Sequence, residues 1–180
     1  MKALVCYESE FGNTHVVAEA IARGLRRAVD ARSIPIDAAT DEALVGVGLL
    51  VIGGPTHVHG LSRPSTRRAA IEQAAADDAT VTLDPNAESQ GIRAWFDAMP
   101  TSVVLTAAFD TRVDRPRILT GRASKGISER LRGHGFEQVA EPESFLVSSD
   151  NHLLPGEEER AEQWGEGLAF LSKAPSLDER

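Results

Sequence analysis

Apolar residues in this chain fall into two alternating rhythms. Ala3-Leu4-Val5-Cys6-Tyr7 and Leu49-Leu50-Val51-Ile52 are short continuous runs, the pattern of strands buried on both faces as in a parallel sheet. After the first run, Val17, Ala20, Ile21, Leu25 and Ala28 recur at helical spacing, with Glu19, Arg23, Arg26 and Arg27 off that face, so the stretch predicts an amphipathic helix. Ser33-Ile34-Pro35-Ile36-Asp37 alternates, and its proline cannot donate to a sheet ladder, which predicts an edge strand. The second run breaks at Gly53-Gly54-Pro55, a turn signal, and Pro64 opens a helix reaching about Ala76. Residues 77–90 lack periodicity and carry Pro85; they predict an insertion, a lid, contact surface or plain loop, before a short helix from Ile92 to Met99. Ser102 to Ala108 is a further strand. Ala123, Ile127 and Leu131 mark a helix that Gly133 and Gly135 can end. Phe145-Leu146-Val147 is a last strand core. A final helix follows, opened by Glu157, Glu158 and Glu159, with Ala161, Trp164, Leu168 and Leu171 as its buried stripe.

Strands alternating with helices predict an α/β fold: a doubly wound, five-stranded parallel sheet with helices on both faces. With the proline strand second in sequence and at an edge, the order is 2-1-3-4-5, and the switch point lies between strands one and three, where ligands bind such sheets. The chain has 180 residues, 42% of them hydrophobic, which suits one domain over 1–180 with 173–180 as a C-terminal tail. A net charge of -8 argues against nucleic acid or anionic membrane as partners. Cys6 is the single cysteine and cannot form an internal disulfide, and no apolar stretch approaches a membrane span, so the expected setting is cytoplasmic.

The candidate chemistry lies at the predicted switch. Ser9-Glu10-Phe11-Gly12-Asn13-Thr14 joins the first strand to a helix N-terminus, where free backbone N–H groups and the helix dipole favour an anion. Gly12 lets the backbone come close to a ligand, and Ser9, Asn13 and Thr14 add donors suited to a phosphate monoester. The turn contains no lysine, and neither a triphosphate loop nor a Gly-x-Gly-x-x-Gly dinucleotide string occurs there. The same residue types also serve simply to end a strand and cap a helix.

Tyr7 to Thr14, Val51 to Thr56 and Phe145 to Trp164 are similar to the phosphate loop, second loop and closing strand and helix of the flavodoxin-like superfamily. Gly53 to His57 and Phe109 to Arg112 are similar to loops of a flavodoxin-domain branch common in actinobacteria. The resemblance implies flavin mononucleotide (FMN) as cofactor. Ser9, Gly12, Asn13 and Thr14, with the amides of Glu10 and Phe11, would take the phosphate. Pro55, Thr56, His57, Val58, His59 and Gly60 would frame the ring from one side, and Ala107, Ala108, Phe109, Asp110 and Arg112 from the other. Three departures stand out. Phe11 replaces the usual hydroxyl residue, Glu10 places a negative charge beside a dianion unless it faces solvent, and His57 and His59 stand where a stacking aromatic is common. His57, His59, Arg63, Arg112 and Arg115 against Asp110 and Asp114 make a balanced or basic rim, which predicts a flavin less strongly reducing than in a low-potential flavodoxin. The implied function is an FMN-dependent electron carrier, acting with a redox partner protein or a small redox substrate. Two alternatives stand beside it: a small FMN-dependent NAD(P)H/quinone-type oxidoreductase, and a flavin-less binding or interaction module. A serine hydrolase is disfavoured because Ser9 and Ser62 lack a Gly-x-Ser-x-Gly elbow.

Overall fold

The computed structural model describes residues 1–57, 60–76, 81–88, 91–99 and 105–173. In chain order the elements are β1 (Lys2–Tyr7), α1 (Asn13–Leu25), β2 (Asp30–Pro35), a 3-10 turn at Ile36–Ala38, α2 (Asp41–Leu44), β3 (Val47–His57), β4 (Gly60–Leu61), α3 (Pro64–Ala74) and α4 (Gly91–Asp97). There follow β5 (Leu105–Val113), α5 (Arg117–Thr120), α6 (Ala123–Gly133), β6 (Glu137–Gln138), β7 (Glu143–Val147) and α7 (Glu157–Leu171).

The parallel core runs β2-β1-β3-β5-β7, which is the expected 2-1-3-4-5 order once the two-residue strands are set aside. β6 pairs with the start of β5 at Leu105 and Thr106, while β7 pairs with its end from Phe109 to Val113, so the two strands share one edge. β4 folds back antiparallel on the end of β3. Side chains along β1 alternate between two cores, as the pleat requires. Ala3, Val5 and Tyr7 meet Val17, Ile21 and Leu168 under α1 and α7, while Leu4 and Cys6 meet Ile92, Trp95, Ile127 and Leu131 under α4 and α6. Among the described residues, no helix is long and apolar enough to cross a membrane.

Several boundaries differ from expectation: the edge strand is Asp30–Pro35, with Ile36 and Asp37 in the 3-10 turn, and two other differences shape the site. β3 does not stop at Gly53-Gly54-Pro55; it pairs with β5 as far as Pro55 opposite Thr111. The glycines are there for packing: a Cβ on Gly53 would stand 2.1 Å from the Phe109 ring, and one on Gly54 would stand 2.7 Å from Ile92 Cδ1. β5 likewise continues past Ala108 to Val113, because Asp110 and Thr111 find polar partners on α6 and α1 and β7 pairs with this half. Its predicted start at Ser102 to Val104 lies outside the described residues. Finally, α1 ends at Leu25, which leaves Ala28 exposed beyond it, and Leu171 at the end of α7 is also largely in water.

Where α1 crosses α7 the backbones touch. A Cβ on Gly24 would stand 2.0 Å from the Glu162 carbonyl oxygen, and one on Gly165 would stand 2.3 Å from that of Ile21. Around this contact Arg23 and Arg27 both pair with Glu162.

Candidate functional site

The turn after β1 is held from within. Ser9 is buried, and its Oγ accepts the Gly12 amide at 3.1 Å and, more weakly, the His15 amide at 3.4 Å. Both bonds use its lone pairs, so its O–H remains free to donate. Gly12 has φ 88°, the left-handed region that disfavours any side chain, and a Cβ there would meet nothing within 4 Å. Among the described residues, the amides of Glu10, Phe11, Asn13 and Thr14 donate to no protein acceptor. They ring the N-terminus of α1, where the helix dipole adds positive potential.

Thr14 Oγ1 lies 2.7 Å from Thr111 Oγ1. One hydroxyl donates to the other, so the pair still holds one proton to offer. Asn13 differs from expectation: its side-chain amide is turned to the carbonyl of Asn151 at 2.8 Å and to its Oδ1 at 3.2 Å, not to the anion site. Asn151 is the one non-glycine with positive φ among the described residues, at 61°, and the Asp150-Asn151 doublet in the sequence is the signal that marks such a turn.

Glu10 does not face solvent. It is 3% exposed, and its Oε2 stands 2.7 Å from His57 Nε2, out of line for a hydrogen bond. Both Glu10 oxygens, His57 Nε2 and Arg112 Nε are buried without hydrogen-bond partners. Buried polar groups are rarely left so, and here three of them border one cleft. The cleft, about 160 Å³, lies between the ends of β1, β3, β5 and β7, with Phe11, Pro55, Thr56, His57, Arg112 and Asn151 among its walls. Arg112 is fixed by donating to the Arg115 carbonyl at 2.8 Å, and its burial lowers its pKa from the ordinary guanidinium value.

The remaining predicted residues lie elsewhere. Ala107, Ala108 and Phe109 are buried within β5, Phe109 packing edge-on against Phe145 and Trp164, so none of them frames a ring at the rim. Asp110 is fully buried; its Oδ2 accepts the Ser124 amide at 2.7 Å, and burial pushes its carboxyl above the usual carboxylate range, partly offset by that amide. It therefore contributes nothing to a rim. Gly60 lies in β4 and lines a second cleft. Val58 and His59 lie outside the described residues. Thr111, inside the span expected to frame the ring, lines the first cleft together with Val113 at the end of β5 and Val147 at the end of β7, neither of which the sequence marks as a site residue.

Residues 81–88 of the predicted insertion lie against the phosphate-like turn. The Asp84 amide donates to the Glu10 carbonyl at 2.7 Å, and Asp84 Oδ2 stands 3.0 Å from His15 Nδ1. The His15 ring stacks on Tyr7 with centroids 4.5 Å apart. Burial, and after it the Asp84 carboxylate, push the Tyr7 phenol up to about 12.

No family model and no curated protein sequence matches this chain. Solved structures do. A flavodoxin from the domain Archaea superposes with a TM-score of 0.65 at 20% identity, covering 97% of this chain and 100% of that one. Flavodoxin 1 from Bacillus cereus gives 0.63 at 17% identity over 94% of this chain and 98% of its own. A flavodoxin, WrbA-like protein from Agrobacterium tumefaciens gives 0.59 at 18% identity over 96% and 97%.

Proposed function

Because the chain has a flavodoxin-like fold, with a bare-amide turn at its switch point, we propose that it binds FMN there and works as a flavodoxin-type electron-transfer protein. The observation that carries this reading is the ring of four undonated amides at the start of α1, beside the free Ser9 hydroxyl and the spare proton of the Thr14–Thr111 pair. These donors fit a phosphate monoester. The Glu10, His57 and Arg112 atoms that border the same cleft without a hydrogen bond among the described residues likewise fit a polar ligand.

Bound FMN would supply reversible one- and two-electron chemistry, and the protein's part is to hold it and set its surroundings. Ser9, Thr14 and the amides from Glu10 to Thr14 would hold the phosphate, while Pro55 to His57 on one side and Arg112 on the other would border the ring. The cleft of about 160 Å³ is smaller than the roughly 300 Å³ or more of small-molecule sites, so a bound FMN would extend beyond it. Arg112, fixed and buried, keeps positive charge beside the site. Its replacement by alanine should make the bound flavin more strongly reducing, read as a more negative midpoint potential.

The test is titration of flavin fluorescence with purified protein. Quenching at micromolar protein, weakened about tenfold in Thr14→Val through loss of a hydroxyl donor, supports the reading. Loaded protein that consumes NADPH with a quinone present is an oxidoreductase instead of a carrier. A second reading, an interaction module without flavin, is favoured by the Glu10 carboxylate, buried where a dianion would lie close by. Absence of quenching selects it.

A further inference from the structure

The β3–β4 hairpin borders two clefts. Pro55, Thr56 and His57 line the first, while Gly60 and Leu61 line another of about 400 Å³, whose remaining wall comes from α4, α5 and α6. Five cationic side chains converge on this second cleft: Arg93, Arg117, Arg122, Lys125 and Arg130. In a chain with net charge -8, such a concentration runs against the general balance.

The four guanidinium groups have no carboxylate partner among the described residues. Elsewhere in the molecule arginines are paired, as Arg23, Arg27 and Arg160 are. The acid of the cleft, Glu129, lies 3.8 Å from Lys125, and both are exposed. Three of the arginines are instead anchored by backbone carbonyls. Arg93 donates to Ser62 at 2.8 Å and to Leu61 at 3.1 Å, Arg122 donates to Pro142, and Arg130 donates to Gly126 at 3.3 Å. Anchoring of this kind holds the forks in place before any ligand arrives and reduces the entropy lost on binding. Burial, and then the positive charges of Arg130 and Arg63, lower the pKa of Arg93, with the Glu8 carboxylate acting the other way. The first amides of α6 are already engaged, Ala123 with Thr56 Oγ1 and Ser124 with Asp110, so the side chains and not the helix end make the site.

We propose that this cleft binds a diphosphate group, free or carried by a nucleotide, between the guanidinium groups of Arg93, Arg117, Arg122 and Arg130. Planar guanidinium forks match the paired oxygens of a phosphate, and the positive charge of four of them, spread around the cleft, suits the greater negative charge of two linked phosphates. The volume falls within the range of small-molecule sites, and Gly60, where a Cβ would meet nothing within 4 Å, leaves one wall open to close approach. The site stands whether or not flavin binds in the first cleft.

Isothermal titration of the full chain with ADP and with inorganic pyrophosphate tests the proposal. One saturable site is expected, weakening as salt is raised. Arg130→Ala should weaken it by about tenfold or more. Arg117→Glu, at an exposed residue whose side chain makes no hydrogen bond among the described residues, should do the same without touching the fold, and Arg32→Glu on the far edge strand should leave it unchanged. Tighter binding of ADP assigns the site to a nucleotide, and equal binding assigns it to the free ion; both sustain the proposal. Absence of heat with either probe overturns it. So does indifference to Arg117→Glu, or an equal loss in Arg32→Glu, which would reduce the effect to net charge.

Discussion

Glu10 and Asp110 are both buried acids, and their surroundings give them opposite relations to the site. Glu10 borders the cleft with its Oε2 2.7 Å from His57 Nε2 and no side-chain hydrogen bond among the described residues, and as a carboxylate it opposes any anion that approaches the amides beside it. Glu10→Gln should therefore tighten FMN binding by about tenfold, ~1.4 kcal/mol, in the same quenching titration. Weaker binding would mean that Glu10 acts by ordering His57. Asp110 instead sits within β5 with its side chain against α6, and burial holds its carboxyl above the ordinary range. Between the unfolded value, about 3.9, and the raised folded value, the native state binds more protons, so stability falls as pH rises through that window. Asp110→Asn should be the more stable protein at neutral pH in urea denaturation, with the difference closing below the ordinary carboxylate pKa. An asparagine can still accept the Ser124 amide, and it offers a donor to the unpartnered Ser124 Oγ.

At the scale of elements, the α1–α7 crossing depends on two glycines whose missing side chains let carbonyl oxygens of the opposite helix come within reach. Gly165→Ala forces those backbones apart and should cost about 1–3 kcal/mol, measured as a lower urea midpoint with unchanged slope. The alternation of apolar runs and helical stripes revealed the strand order and the switch point, because a buried parallel sheet demands both. It did not reveal where β3 and β5 end. Gly53-Gly54-Pro55 has the composition of a turn, and its packing role exists only once Phe109 is known to lie across Gly53. The Phe109-Asp110-Thr111-Arg112 string has the polarity of a loop, and it becomes strand through a helix amide and a threonine hydroxyl distant in sequence. The phosphate-like turn was legible as a local motif, whereas the inward turn of Glu10 and the engagement of Asn13 by Asn151 arise from tertiary contacts.

Both clefts open beside the β3–β4 hairpin; among the described residues one is bordered by amides that donate to no protein acceptor and the other by arginines that pair with no carboxylate. Ligand binding at either must stabilise the fold by mass action. FMN at a hundred times its dissociation constant should add about 2.7 kcal/mol, a rise of about 5–10 °C in Tm by scanning calorimetry. A protein whose Tm ignores FMN but rises with ADP would separate the two sites in one experiment. Cys6 offers a practical consequence of the fold. The chain's single thiol is fully enclosed near the C-terminal end of β1, where burial drives its pKa far above the range of a reactive cysteine. A maleimide dye should pass the native protein by, so a new cysteine at exposed Ile118, beside Arg117, would carry the label alone and report on that mouth without any background to subtract.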